Sequence, residues 1–275
     1  MNASEIKVLL LHGANPVYDL PAGSGIEDAL ANVETIISFN PLVDETSALA
    51  DYILPDRVYL EGWGYEVVSP AFQGLPVLSS QQPVVGPLYD IHSTGDVLLT
   101  VAKGIPAAAS ALPWDDEVAY IKETVVSLGK GAHGGEDAEV QWARFQQHGG
   151  WWPETAAASE VPEAAFSGPV DVPAAAFQGD EGEFPFFLHP YMSVLLSGNA
   201  GSNIPWLQGS PDPLTTISWQ TWVEINPKTA DELDLTNGDV VEIESPHGVI
   251  KAPIYLFPAI RPDTVAIPVG QGHSD

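Results

Sequence analysis

The sequence predicts an α/β domain followed by a mainly β domain of barrel type. Up to residue 103, short apolar runs typical of strands alternate with helical patterns. Residues 151–183 are then dominated by Ala, Pro, Glu and Gly and show no hydrophobic period, which is typical of a linker. Strand-like runs separated by turn signals return after this segment. We therefore expect an α/β domain over 1–150, a linker over 151–183 and a β domain over 184–275.

The α/β domain starts with two apolar strands that a helix connects. We predict strands over residues 6–11 and 35–39, with a helix over 26–33 between them. A helical turn at 46–51 and a very short strand at 52–55 follow. Strands that alternate with helices pair in parallel through right-handed crossovers. This order therefore indicates a Rossmann-like layered unit.

Further helices complete the first domain. We predict two of them over residues 92–103 and 136–147, and a third along a set of apolar residues spaced by four or three positions. That spacing places the set on one helix face, which we interpret as the buried face of a surface helix. The set consists of Trp114, Val118, Ile121, Val125 and Leu128.

The β domain carries the clearest local signals. Strand character resumes at 184–197. Farther along, Asn226 can cap a short helix, and the pair 237–238 (Asn-Gly) is typical of a turn with positive φ. Two strands are predicted over residues 240–245 and 249–257, and the first alternates apolar with acidic residues. These signals predict a segment of a β-barrel.

A Trp-rich and Pro-rich loop, residues 203–227, precedes the barrel segment. Asp212 is its main titratable residue, so we interpret the loop as a packing corner or a subunit contact and not as a catalytic loop. Trp206 and Trp219 are its candidate interface anchors, because large aromatic side chains often anchor protein interfaces.

The charge of the chain excludes several classes of function. Nine Lys and Arg stand against 37 Asp and Glu, a formal net charge of −28. Such a surface repels phosphate backbones and anionic lipids, so we expect neither nucleic-acid binding nor direct docking to a membrane. The charge fits a basic partner such as a cationic electron carrier, an adaptation to high salt, or plain solubility, and the sequence leaves these three open.

The absence of Cys excludes disulfides, thiolate zinc sites, Cys-ligated iron–sulfur clusters and a Cys nucleophile. The seven His show no HxxxH or HxH spacing, and neither a GxSxG motif nor a GxxxxGKS/T loop occurs. We therefore predict no catalytic residue and no metal ligand. The apolar runs are shorter than a membrane span and the N-terminus lacks a basic region, so we expect neither membrane insertion nor a signal peptide.

Two loops are candidate ligand sites, because ligands of α/β sheets bind beyond the carboxyl ends of the strands. In the first, HGANP, Gly13 would let the backbone approach a ligand and Asn15 could hydrogen-bond outward. A plain strand-to-helix turn would have much the same sequence. In the second, Asp44, Glu45 and Thr46 either cap a helix start or recognise a guanine edge or a ribose.

Four ordered segments carry a family resemblance. They are HGANPVYDLP, FNPLVDETSALADYILPDRVYLEGWG, LYDIHSTGDVLLTVAKGI and a tail that runs from WVEINPKTADELDLTNGD to VAIPVGQGH. Together they resemble the molybdopterin-dinucleotide oxidoreductase family, which includes polysulfide, thiosulfate and dimethyl-sulfoxide reductases. The details YILPD, LEGWG, PWLQGSPDP and GQGH are most similar to the molybdopterin-type subunit of alternative complex III, a quinol-oxidising respiratory assembly of the membrane.

The resemblance implies a fold and a pocket. It implies a Rossmann-like domain followed by a double-psi β-barrel, here in whole or in part, and a pocket for molybdopterin guanine dinucleotide. It concerns the C-terminal half of the family only. In the family, the iron–sulfur cluster and the molybdenum ligand belong to the N-terminal half. We therefore expect a fragment, a split gene product or one piece of a larger subunit. The implied pocket residues are His12, Gly13, Asn15, Asp44, Glu45, Thr46, Gly270, Gln271, Gly272 and His273.

Three functional hypotheses remain. The resemblance favours a non-catalytic scaffold of a respiratory complex on the extracytoplasmic face of the membrane, because the subunit of the alternative complex III branch holds no molybdenum cofactor. Its partners would be iron–sulfur and membrane subunits, or a missing N-terminal half. The alternative is the cofactor-binding half of an active molybdenum reductase or dehydrogenase, and a stand-alone binding module is the third. In each case we expect the isolated chain to be inactive as an enzyme.

Overall fold

The computed structural model describes residues 5–68, 76–135, 137–154, 168, 171–172, 177–198 and 201–273. Much of the predicted linker therefore lies outside the described residues. The strands are β1 (Val8–Leu11), β2 (Thr35–Ser38), β3 (Tyr52–Ile53), β4 (Gly64–Val68), β5 (Val77–Gln81), β6 (Gly150–Trp151), β7 (Phe187–Met192), β8 (Val223–Ile225), β9 (Val240–Ser245), β10 (Gly248–Leu256) and β11 (Thr264–Val269). The helices are α1 (Pro16–Asp19), α2 (Ile26–Leu30), α3 (Thr94–Lys103), α4 (Pro106–Ala111), α5 (Glu117–Ser127), α6 (Ala138–His148), α7 (Pro205–Gln208) and α8 (Pro227–Glu232).

The first three strands form a parallel sheet in the order β1-β2-β3. Leu9 is the register partner of Ile36, and Ile37 is that of Tyr52. α2 lies in the connection between β1 and β2, so the strand–helix–strand prediction is confirmed. Its Rossmann-like detail stays a prediction. The buried core beneath this sheet consists of Leu11, Leu30, Val33 and Ile36.

An antiparallel sheet in the order β4-β5-β6 follows, and the sequence did not predict it. Its strands are short and contain Gly, Ser and Gln, so they show little apolar alternation. β6 includes Trp151, which the sequence had assigned to the linker. Leu78 of β5 packs in a buried cluster with Ile121, Val125 and Phe145 of α5 and α6.

The predicted apolar face of α5 is only partly correct. Ile121 and Val125 are fully buried, as the spacing predicts. Trp114, however, precedes the helix, and Leu128 is its 41% exposed C-cap. Asp116 is the N-cap of α5, and its side chain accepts a hydrogen bond from Ala119 N at 2.8 Å. The helix therefore begins after Trp114, although the four-and-three spacing of apolar residues includes Trp114.

The β domain contains a five-stranded mixed sheet in the order β7-β11-β8-β10-β9. The predicted strands 240–245 and 249–257 are confirmed as the antiparallel pair β9 and β10. Asn226 is the predicted cap of α8, with its Oδ1 accepting from Lys228 N at 2.9 Å. The double-psi connectivity stays a prediction. The buried core of this sheet consists of Val223, Ile225, Ala230, Ile254 and Ile267.

The two candidate interface anchors lie on the surface. Trp206 and Trp219 are 73% and 63% exposed, so their proposed role as interface anchors stays a prediction. None of the helices in the described residues combines the length and the hydropathy needed to cross a membrane.

Candidate functional site

Three segments of the chain meet at the carboxyl end of the parallel sheet. The loop 12–16 follows β1, the segment 40–47 follows β2, and the tail 270–273 follows β11 of the β domain. The site therefore joins both domains. It is placed where an α/β sheet binds its ligands, because loops at the carboxyl ends of parallel strands leave a crevice there.

Beside these segments lies a cavity of about 1150 Å³, which we call the interdomain cleft. One wall comes from α1, α2 and Glu45, and the other from β10, β11 and the turn after β7. A cavity of this size can hold a large ligand. The cleft is lined by residues 17–20, 25–28, 45, 192, 197–198, 221, 250–251 and 267–272.

Asn15 attaches the first loop to the second. Its Oδ1 accepts hydrogen bonds from the Thr46 hydroxyl at 2.6 Å and from Thr46 N at 3.2 Å. Its Nδ2 donates to Glu45 Oε2 at 2.7 Å. The Thr46 hydroxyl in turn accepts from Val17 N at 3.1 Å, at the start of α1. Asn15 and Thr46 are both buried, so these bonds satisfy groups that have little access to water.

Glu45 extends the same network to the tail. Its Oε1 lies 2.7 Å from His273 Nδ1. The His273 ring stacks on Tyr18, with ring centroids 4.0 Å apart and planes at 8°. The Tyr18 hydroxyl donates to the Gln271 carbonyl at 3.0 Å, and burial raises the pKa of Tyr18, so the hydroxyl remains a donor at neutral pH. We call Asn15, Tyr18, Glu45, Thr46 and His273 the interdomain clamp.

The remaining predicted site residues have other surroundings. His12 is 61% exposed and pairs with Asp56 at 2.9 Å, away from the clamp. Asp44 accepts from Ser47 N at 2.7 Å, which matches the capping alternative. The Gln271 side chain donates to Gln208 Oε1 at 2.7 Å. Gly13, Gly270 and Gly272 all have positive φ and serve as turns. Whether any of the ten binds a cofactor stays a prediction.

The sequence missed two residues that organise the site, Asn40 and Tyr18. Asn40 follows β2 and is 4% exposed. Its Oδ1 accepts from Gly13 N at 2.9 Å, and its Nδ2 donates to the Ala14 carbonyl at 3.0 Å and to Asp44 at 2.9 Å. A polar residue directly after a buried strand was the available signal. Tyr18 was also missed, because its partner lies in the distant tail.

Gly270→Ala tests how closely the tail packs. Gly270 has a φ of +124°, and an added Cβ would lie 2.8 Å from the Gly198 carbonyl oxygen. We expect a loss of about 1–3 kcal/mol in the free energy of unfolding, from backbone strain and this clash. Gly272→Ala is the matched control, because φ is +92° there but no atom lies within 4 Å. Urea unfolding should show the larger loss at Gly270, and equal losses would contradict the close packing.

Asp56 joins His12 to the start of α3 in a second polar cluster. Its Oδ2 accepts from the Thr94 hydroxyl at 2.6 Å, and its Oδ1 accepts from Thr94 N at 3.1 Å. Burial raises the pKa of Asp56, but the hydrogen bonds from Thr94 and His12 outweigh it, so this pKa lies below its ordinary value. Burial also raises the pKa of Glu117, against an opposing hydrogen bond from Ser93.

Asp56→Asn is expected to change the stability of the protein in a pH-dependent way. Because the pKa of Asp56 is lower in the folded chain, its carboxylate contributes stability above the unfolded value of about 3.9 and loses it as the pH falls through the folded value. The variant should be less stable than the parent near neutral pH, and the difference should shrink below about pH 4. Urea unfolding near neutral pH and below about pH 4 measures the stability of both proteins. A difference in stability that stays constant with pH would contradict the prediction.

The charge of the interdomain cleft is strongly asymmetric. Its charged lining residues are four acids, Asp19, Glu27, Asp28 and Glu45, and one base, Lys251. Lys251 already pairs with Glu242 at 2.9 Å. In the described part of the chain, the ion pairs include none to Asp19, Glu27 or Asp28. The cleft therefore carries an excess of negative charge.

Comparison with known proteins shows what this arrangement is similar to. Residues 213–275 match the family described as Molydopterin dinucleotide binding domain. Over 277 residues, the chain is 30% identical to the menaquinone reductase, molybdopterin-binding-like subunit, of Nitratidesulfovibrio vulgaris. The chain belongs to the molybdopterin oxidoreductase family. It is also 25% identical over 340 residues to the arsenate respiratory reductase molybdopterin-containing subunit of Shewanella sp. (strain ANA-3).

The match to this family concerns its C-terminal part. The chain is covered to 98% in both alignments, but it spans only 36% and 39% of those two relatives. Acetylene hydratase from Pelobacter acetylenicus has a similar fold, with a TM-score of 0.57 at 19% identity over 96% of this chain and 37% of that protein. This structural likeness supports the mixed α/β class of the family.

Molybdopterin is the cofactor that the family implies, and the residues of this chain do not fit it well. A pterin dinucleotide carries a pyrophosphate, which binds to cationic side chains or free N–H donors. The cleft instead presents carboxylates, and its one Lys is already paired. The amide of Asn15 and the N–H of Gly13 are engaged by Glu45 and Asn40.

Proposed function

We propose that the chain is a structural, non-catalytic part of a molybdopterin oxidoreductase-like subunit in a membrane-associated respiratory complex of the alternative complex III type. In this role its two domains keep the shape of a cofactor-binding lobe but hold no molybdopterin. The iron–sulfur and membrane subunits of the complex would be its partners, and the extracytoplasmic face of the membrane its location.

One observation carries this proposal: the polar side chains of the clamp bind one another. Glu45 accepts from Asn15 on one oxygen and pairs with His273 on the other, each at 2.7 Å. A dinucleotide would have to break these bonds to reach the same atoms, and breaking part-buried hydrogen bonds to a charged group costs free energy. The name of one relative, a molybdopterin-binding-like subunit of a menaquinone reductase, is consistent with the same role.

Quantification of molybdenum and pterin tests the proposal. The intact assembly that contains this chain should be purified and analysed by mass spectrometry for metals and by the fluorescence of oxidised pterin. We expect molybdenum and pterin at background level, together with iron from the partner subunits. Stoichiometric molybdenum with bound pterin would overturn the scaffold role. Fractionation and protease protection of intact cells would test the extracytoplasmic location separately.

The second candidate is the cofactor-binding half of an active molybdenum reductase or dehydrogenase. The match of residues 213–275 to a dinucleotide-binding family favours it, and the similarity to a molybdopterin-containing arsenate reductase subunit agrees. In that case residues outside this chain would supply the further positive charge that a pyrophosphate needs. The same metal analysis separates the two candidates, because only this one requires molybdenum.

A further inference from the structure

We propose that the interdomain cleft receives a basic, partly apolar polypeptide segment that comes from outside these 275 residues, in the place where a cofactor would lie. This inference rests on the proposed function, because a cleft that held the cofactor would have no room for such a segment. It names the partner of the scaffold by its chemistry.

Part of the lining of the cleft is suited to apolar side chains. Leu20, Met192, Ile250 and Val269 line it and remain between 40% and 60% exposed. Apolar side chains that line a concave surface gain stability when a partner removes them from water. The four come from both domains, so an occupant that covers them would also bridge the domains.

The exposed acids of the cleft lining, Asp19, Glu27 and Asp28, which we call the acidic rim, select the charge of the occupant. Glu27 and Asp28 lie on α2 at the cleft and are exposed, and Asp19 joins them from the end of α1. Carboxylates in such a position repel phosphates and acidic peptides and attract Lys and Arg. The occupant that fits both the apolar lining residues and the acidic rim is a segment that contains basic and apolar residues.

The chain does not provide this segment from its own linker. Residues 151–183 contain several Asp and Glu and neither Lys nor Arg, so their charge would be repelled by the rim. The chain spans only 36% and 39% of the two relatives aligned above. We assign the segment to a neighbouring subunit of the complex, whose Lys and Arg would pair with the acidic residues of the cleft.

Isothermal titration of the full chain with short peptides is the first test. The probes are Lys-Leu-Lys-Leu-Lys, its analogue with Ser in place of Leu, its analogue with Glu in place of Lys, and guanosine 5′-diphosphate. We expect the first peptide to bind best and to lose affinity when Leu becomes Ser or when the salt concentration rises. Stronger binding of guanosine diphosphate or of the acidic peptide would overturn the proposal.

Paired variants localise the binding. Glu27→Gln with Asp28→Asn should weaken the Lys-Leu peptide roughly five-fold, because two exposed charge pairs are lost. The matched control is Asp231→Asn with Glu232→Gln, another adjacent acidic pair on a short helix, which changes the net charge by the same amount. Equal weakening in both variants would mean non-specific attraction to an acidic protein and would overturn the proposal.

Zero-length carbodiimide cross-linking of the intact assembly is the second test. We expect Glu27 or Asp28 to be coupled to a Lys outside this chain, with fewer links at Asp231 and Glu232. Links confined to the control pair, or none at the cleft, would overturn this inference. The metal analysis described above would still stand in that case, so the failure of this inference and that of the scaffold role are distinguishable.

Discussion

Glu45→Ala is expected to lower the free energy of unfolding by about 2–4 kcal/mol, because it leaves two buried or half-buried partners without an acceptor. The Glu45 side chain is only 11% exposed and holds Asn15 and His273 on its two oxygens. Its loss would weaken the attachment of the tail to the α/β domain and leave only the contacts of Tyr18 with Gln271 and His273 within the clamp. Urea unfolding, followed by circular dichroism, would measure the change in stability.

Two controls sharpen this result. Glu45→Gln keeps the size of the side chain and one carbonyl acceptor, so it should lose less stability than the alanine variant. Glu27→Ala removes an exposed acid from the same cleft and should change stability by less than about 0.5 kcal/mol. Hydrogen exchange at residues 270–273 should rise in Glu45→Ala alone. An alanine variant as stable as the parent would contradict the clamp.

Ile254→Ala is expected to destabilise the β domain by about 2–5 kcal/mol, the range for a cavity left by a large buried side chain. Ile254 of β10 is 2% exposed and is the register partner of Val223 in β8. Its side chain belongs to the buried cluster that holds the five-stranded sheet together. Calorimetry would show the loss as a lower midpoint of thermal unfolding.

The same strand offers a matched control for this prediction. Ile250 lies four residues earlier in β10 and is 45% exposed, so Ile250→Ala should cost less than about 1 kcal/mol. If both variants lost the same stability, the core would not lie where the sheet places it. If neither lost stability, the sheet would not be held by its apolar face.

The elements that depend on neighbouring residues could be predicted from the sequence. The cap at Asn226 and the strand alternation after it are local signals, and both are confirmed. The short strands β4 to β6 could not be predicted, because their pairing partners are distant and their own pattern is weak. Trp114 continued the helical spacing by chance, since spacing alone does not mark where a helix begins.

For the candidate site, the sequence predicted several residues but not the contacts between them. Asn15, Glu45 and His273 were each singled out by the sequence, but nothing local to them indicates that Glu45 bonds the other two. Asn40 and Tyr18 were missed because their importance comes only from what they contact. Periodicity describes which face of an element is buried. The contacts of the clamp instead depend on how segments that are far apart in the sequence pack together.

The clamp also has a consequence for the order in which the protein folds. Glu45 and His273 are 228 residues apart in the chain. During synthesis the parallel sheet can form as soon as its strands emerge, but the tail that completes the clamp is translated much later. Until then the Glu45 carboxylate and the Tyr18 ring lack their distant partners, and closing so long a loop is slow. The complete clamp can therefore form only in a newly made chain that has reached His273, and not in one that has stalled before it.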